Sequence, residues 1–477
     1  ISLFPLYYTN MSDRKAILGI LALSILVHFV FFGYPAETVF DEVHFGKFIS
    51  AYFTGQYYFD IHPPLGKLII AGMAKISGFE PGFSFEAIGQ KFDNGSYKWL
   101  RFLPNLAGSF LPVIIFLIAL ELGLSRKSAF LAGLLIIFEN SLLVQSRLIL
   151  LDSFLLLFGF MAILFFLKFR SANSTLYLML SAFLAALSFS IKWTGLSFLG
   201  IIGLFYFINW LKSGEKLKTA IKGLIFLILI PFAVYFLIFT VHFLLLPDSG
   251  PDNAFHPPNF QEMSLPEKFI DLNGELYQSN ARLGASHPYT SKWYQWPFMN
   301  KPIFYWTSQS RNCLSLSSGP QSLCTSRIYL LGNPFIYWLS TMAVIYFIIF
   351  SFRNIRTLSS NYPVRANGPR KVAWPPRGFT PRGLTGYILL TGFFINWLPF
   401  IFIGRVMFLY HYFTSLIFAI LILACLLDKL PEKNKKTAFN SVLTGSIILF
   451  LFFSPLTYGL PIPEWHYNLM VWLPSWK

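Results

Sequence analysis

An acidic pair, a histidine followed by two prolines and a lysine share one short stretch, FDEVHFGKFISAYFTGQYYFDIHPPLGK (40–67). Asp41 and Glu42 are adjacent, Asp60 and His62 follow, and Pro63-Pro64 stiffens the approach to Lys67. Carboxylates can move a proton and cations can hold an anion, so the set offers group-transfer chemistry. Ionisable residues beside an apolar span are costly to keep there without a role. A catalytic loop is therefore expected, against the plain alternative of a solvated loop with ordinary charge.

Three further segments add charge at the ends of apolar runs. Arg147 and Asp152 lie in QSRLILLD, Lys192 in SIKWTG, and Arg405, Tyr410 and His411 in GRVMFLYHY. Each has a bland reading. A single Arg at a span end is most often a snorkelling anchor. A single His is more often a hydrogen-bonded bundle residue than a catalyst, and Asp152 can simply pair with Arg147. On one membrane face together they fit a lipid phosphate, with its charge at headgroup level and its tail between helices. Arg matches such a phosphate through a bidentate fork.

The elements that carry these residues are membrane spans. The chain has 477 residues, 55% hydrophobic, 19% aromatic and only 12% charged, where soluble proteins carry about 25% charged residues. A span needs about 20 apolar residues. Candidates lie at 15–34, 101–122, 128–146, 149–168, 174–191, 193–211, 219–246, 333–352, 384–403, 405–427 and 439–459. The fold expected is an all-α polytopic membrane protein of about eleven spans in a single domain. The first span lacks the marks of a cleavable signal and is expected to be retained.

Orientation follows from the basic residues. With the N-terminus in the cytoplasm, the short inner segments hold 21 of the 37 Lys and Arg residues, as the positive-inside rule requires. Seven of them lie in a Pro- and Gly-rich cytoplasmic loop, 353–383. The net charge of +16 forms no single long patch, so it does not point to nucleic acid. Two long outer loops remain: 35–100, with the acidic pair and room for amphipathic helices along the membrane, and 247–332. Cys313 and Cys324 share the second loop and make a disulfide plausible in an oxidising compartment, whereas Cys425 sits in an apolar run. No Cys/His zinc spacing occurs.

FDEVHFGKF with DIHPPLGKL, then QSRLILLDSF, SIKWTG, SHPYTSKWYQWP, LLGNPFIYW and RVMFLYHYF, in that order, resemble the protein O-mannosyltransferases. The likeness runs from residue 40 to about 415. It implies the GT-C fold: eleven spans, an inner N-terminus, an outer C-terminus and an active site on the outer face of the cell membrane. It implies mannose transfer from a polyprenyl-phosphate-mannose donor to Ser or Thr hydroxyls of exported proteins. The eukaryotic members carry a β-trefoil MIR domain between spans seven and eight. A loop of about 86 residues at 247–332 leaves no room for one and matches the shorter bacterial form.

By the same resemblance Asp41 is the base of an inverting single displacement, and Glu42 positions it or the acceptor. Arg147, Lys192 and Arg405 neutralise the lipid phosphate, with Lys67 and His411 in support; Asp152 and Tyr410 complete the substrate-binding set, and His62 shapes the loop or the sugar site. No metal or other cofactor is expected. Another GT-C transferase, such as one moving aminoarabinose to lipid A, is the nearest alternative. A lipid transporter or flippase is a more distant one. It would need charge near mid-membrane, for which Glu139 and His242 are the residues to watch.

Overall fold

The computed structural model describes residues 11–282, 284, 287–310, 324–356 and 384–477. The basic loop 353–383 lies almost wholly outside the described residues, as does Cys313, the expected partner of Cys324. Cys425 is free and buried.

All eleven apolar stretches carry helix. Without water to satisfy it, the backbone of a span must close its hydrogen bonds internally. Among the described residues seven helices are long and apolar enough to cross a membrane, or eight if Arg126–Ile137 and Asn140–Ser146 form one span bent by 58°. The other expected spans coincide with the shorter apolar helices Thr175–Phe189 and Pro334–Phe350 and with Met11–Phe29. Tyr97–Glu121, Asp152–Ala172 and Leu409–Asp428 form the centre, the last with 83% of its apolar window buried. Lys216–Leu245 buries only 22% of its window and presents most of its Leu, Ile and Phe side chains outward, as a lipid-facing helix does.

The 58° bend has a local cause. The Glu139 carboxylate accepts from Leu142 N at 2.7 Å, Ser141 Oγ at 2.7 Å and Asn333 N at 2.8 Å. It caps a new helix inside the span, and the Asn333 amide of LLGNP ties Phe138 O to Ser446 O. Glu139 is thus fully used in the fold, and His242 is engaged by the Tyr52 hydroxyl at 2.8 Å.

The turns separate into two ends. At one, Asp13 pairs with Arg126 at 2.5 Å, while Asp428 accepts from Ser125 and Ser128 and faces Lys435 at 3.9 Å. The segments expected on the inner face meet there. At the other end the first long loop places helices Glu42–Thr54 and Leu65–Ile76 against the turns at 147–151 and 190–195. The second loop contributes helix Leu265–Arg282 and an antiparallel hairpin, Ile303–Ser310 with Cys324–Leu330. That hairpin is a departure from the expected all-α composition.

Two glycines explain the close packing at this end. A Cβ on Gly66 of HPPLGK would lie 2.9 Å from Leu151 Cδ2, and one on Gly195 of SIKWTG would lie 2.6 Å from Phe189 N. Glycine lets both segments press together. Leu65 N donates to Ser190 O at 3.1 Å across that junction.

Candidate active site

Asp41 and Glu42 occupy different environments. Phe40 adopts a left-handed φ of 49°, rare for a bulky residue, and swings the chain into helix Glu42–Thr54. Asp41 stands at its N-cap without a side-chain cap bond and is half-buried. Among the described residues its carboxylate has no hydrogen-bond or ion-pair partner. Burial pushes its carboxyl up to about 7, Lys192 opposes this, and Asp152 and Asp60 add to it. An unpartnered carboxylate poised near neutrality suits proton abstraction.

Glu42 is fully buried, with both oxygens occupied. Arg101 Nε and Nη2 fork onto it at 2.7 and 2.6 Å, and Val39 N and Ile149 N donate at 2.9 Å each. Arg101 also donates to Gly33 O, Pro35 O and Glu37 O. This placement fits a positioning role for Glu42.

The bland alternative, Asp152 paired with Arg147, is not what forms. Asp152 opens its helix, where the dipole favours a carboxylate, and binds Lys192 Nζ at 2.8 and 2.9 Å. Gln145 Nε2 donates to the same carboxylate at 2.6 Å, and the Tyr305 hydroxyl donates to Gln145 Oε1 at 2.6 Å. Lys192 Nζ lies over the Tyr410 ring, 5.1 Å from its centre. Arg147 goes elsewhere. It donates to Phe31 O at 2.7 Å and lies 4.4 Å from the centre of the Tyr458 ring, which fits an anchor better than a phosphate ligand.

A second cationic group surrounds His62. Lys67 pairs with Asp60 and donates to His62 O at 2.9 Å. Arg405 Nη1 donates to Asn280 Oδ1 at 2.5 Å, and Asn280 Nδ2 donates to Ile61 O at 3.0 Å. His411 stacks between Tyr410 at 4.7 Å and the buried Trp296 of the SHPYTSKWYQWPF segment at 5.8 Å. Burial first, then Lys192, Lys67, Arg405 and His411, holds His62 well below its ordinary value, so it is neutral at pH 7. A small recess lies among Tyr58, Asp60, His62, Lys67 and His242. Lys192, Lys67 and Arg405, with His411 beside them, act on one neutral imidazole and make a floor that an anion would stabilise.

Of the ten expected site residues, Asp41, His62, Lys67, Asp152, Lys192, Arg405, Tyr410 and His411 fall in this one neighbourhood. Glu42 backs it and Arg147 lies beside it. Of the neighbouring carboxylates, Glu42 faces Arg101 and Asp60 faces Lys67. Sequence reasoning missed Arg101, Gln145, Asn280 and Tyr305. The charge that opens the apolar 101–122 stretch could have flagged Arg101, and Gln145 sits in a motif already singled out. No local signal marks Asn280 or Tyr305.

Comparison with known proteins places the chain in a family and a fold. The family model described as dolichyl-phosphate-mannose-protein mannosyltransferase matches residues 18–247. The one described as the C-terminal four TMM region of protein-O-mannosyltransferase matches 265–476. The chain belongs to the protein O-mannosyltransferase family. Protein O-mannosyltransferase 1 of Drosophila melanogaster is 36% identical over 243 residues, covering 48% of this chain and 27% of the relative. Dolichyl-phosphate-mannose–protein mannosyltransferase 1 of Saccharomyces cerevisiae is 34% identical over 242 residues, covering 48% and 30%. The matched stretch thus spans about a third of these relatives or less.

In three dimensions the chain is similar to the S. cerevisiae protein O-mannosyltransferase Pmt1-Pmt2 complex bound to the sugar donor. The TM-score is 0.87 at 19% identity, covering 98% of this chain and 93% of that one. The archaeal oligosaccharyltransferase AglB from Archaeoglobus fulgidus gives 0.52 at 12% identity, covering 97% and 58%. The fold is of the GT-C type.

Proposed function

We propose that the protein transfers mannose from a polyprenyl-phosphate-mannose lipid to Ser or Thr hydroxyls of exported proteins. Asp41 takes the proton from the acceptor hydroxyl. The new bond from the hydroxyl oxygen to the anomeric carbon forms as the bond from that carbon to the phosphate oxygen breaks. The electron pair leaves with the polyprenyl phosphate, and the configuration inverts. Lys192 and Arg405, with Lys67 and His411 near them, meet the phosphate, whose charge grows as the bond breaks. Asp152 holds Lys192, Tyr410 lines the approach, and neutral His62 faces the sugar.

The observation that carries this reading is the unpartnered Asp41 carboxyl, at about 7, beside a floor of cations. The reaction requires a base for a weakly acidic hydroxyl and a cradle for a phosphate leaving group. The basic-residue pattern supports a cytoplasmic N-terminus, with the site on the outer face of the plasma membrane.

Purified protein in detergent, given polyprenyl-phosphate-mannose and a Ser/Thr peptide, should mannosylate the peptide without added metal. Transfer by wild type but not by Asp41→Asn is expected. Peptide left unmodified by wild type, or a different sugar accepted in preference, would overturn the reading.

A further inference from the structure

We propose that Tyr305 is a positioning residue that fixes the spacing between the two carboxylates of the site, Asp41 and Asp152. Its ring acts on the first and its hydroxyl on the second. This rests on the catalytic reading above.

Tyr305 reaches the site by a bulge. In the hairpin Phe304 faces Tyr329 and Trp306 faces Ile328, which leaves Tyr305 without a cross-strand partner. A bulge re-aims the extra residue's side chain, and here it points into the bundle, where Tyr305 is 1% exposed. Its ring lies flat on Phe40, with centres 3.9 Å apart and planes at 7°. Phe40 holds the left-handed conformation that launches Asp41, so the stack secures the backbone from which the carboxylate projects.

The hydroxyl secures the other side. Gln145 has one acceptor and one donor end, and Tyr305 claims the acceptor at 2.6 Å. The NH2 end must then face Asp152, where it donates at 2.6 Å. Asp152 in turn holds Lys192 with both oxygens. With the Tyr305 hydroxyl gone, the buried Gln145 oxygen is left without its donor, and the amide loses the bond that fixes its rotation and its hold on Asp152. Burial of Tyr305 keeps water from replacing the lost bond. The second loop is thereby a working part of the site and not only a connection between spans.

The test uses the full chain in detergent. Single-turnover transfer at saturating donor is measured against peptide concentration for Tyr305→Phe, Tyr305→Leu, Gln145→Glu, Gln145→Ala and the double variant Tyr305→Phe/Gln145→Ala. Tyr305→Phe keeps the stack and loses the hydroxyl, so the rate should fall about tenfold, the worth of one hydrogen bond, with the half-saturating peptide concentration unchanged. Tyr305→Leu loses the stack as well and should fall further. Gln145→Glu can still accept from Tyr305 but cannot donate to Asp152, so its loss should be at least as large as that of Tyr305→Phe. The double variant should be no slower than Gln145→Ala alone, because both changes act on one chain of bonds. Wild-type rates in Tyr305→Phe and Gln145→Glu would overturn the proposal.

A readout independent of transfer separates this inference from the function. Acetylation of Lys192 by an N-hydroxysuccinimide ester, followed by peptide mass spectrometry, should be several-fold faster in Tyr305→Phe and Gln145→Ala than in wild type. If wild type transfers no mannose, the functional reading fails and this labelling still decides the positioning role. Labelling equal to wild type in both variants would overturn it.

Discussion

The Glu42–Arg101 knot and the Asp41 floor start from adjacent residues, yet they are built on opposite rules. In the knot the charge is fully buried and every valence is filled: a bidentate guanidinium, two backbone amides, and three carbonyls around the arginine. Such a pair is retained only if its bonds offset the cost of desolvation. On the floor, Asp41 is half-buried and unpartnered, and its carboxyl is pushed up to about 7. The first arrangement holds the chain in place, because removing either partner strands a charge. The second leaves a group ready to change its charge, as a base must. Adjacent carboxylates can therefore divide structure and chemistry between them.

The sharpest way to break this contrast is to neutralise each carboxylate in turn. Asp41→Asn should lower single-turnover transfer by roughly 10²–10⁴-fold, the usual cost of a lost general base. Its thermal stability should hold or rise. Folding raises the Asp41 value, so the folded state disfavours the ionised form, and above pH 7 the charge costs stability that Asn removes. Glu42→Gln should do the reverse, losing about 3–5 kcal/mol of stability by leaving Arg101 buried without its partner. Thermal unfolding and transfer per folded molecule, measured on both variants, read the two effects separately. Equal effects on stability and rate in both would erase the distinction.

Part of this site could be read from the sequence. The motifs place Asp41, His62, Lys67, Asp152, Lys192, Arg405, Tyr410 and His411 at one end of the bundle, because span ends are fixed by apolar length and charge. The partners were not legible. Asp152 pairs with Lys192, forty residues on, and not with the nearer Arg147, since pairing depends on how the 147–151 turn folds after the Glu139 break. Tyr305 depends on a one-residue bulge, and Asn280 on where a loop helix docks; neither leaves a period or a spacing to detect. The span count is limited differently, because helices such as Thr175–Phe189 are shorter than a bilayer requires on their own.

Among the cations, the floor predicts a graded response. Arg405 is held by the Asn280 amide and faces Tyr410 and His62, whereas Arg147 is bound to Phe31 O and the Tyr458 ring. Arg405→Lys should weaken donor binding and slow transfer by about tenfold, the loss of one arm of a charged fork. Arg147→Lys should change stability more than either. Donor affinity and single-turnover rate of the two variants decide it. A larger functional loss at Arg147 would return the phosphate to that side of the site.

The smallest effect expected is a shift in pH dependence. Transfer needs Asp41 ionised, so kcat/KM should rise with pH through a limb near 7. The charges that act on Asp41 are Lys192, which lowers its value, and Asp152 and Asp60, which raise it. Lys192→Gln removes the opposing cation, so the limb should move to higher pH. Asp152→Asn removes a carboxylate and releases Lys192 from its partner, and both changes move the limb to lower pH. The two variants therefore shift in opposite directions although both lose the same ion pair. Loss of the pair as a merely structural element would slow both enzymes without separating their limbs. Profiles of kcat/KM between pH 5.5 and 9 for wild type and the two variants distinguish the outcomes, and a limb that stays fixed in both would remove Asp41 as the titrating base.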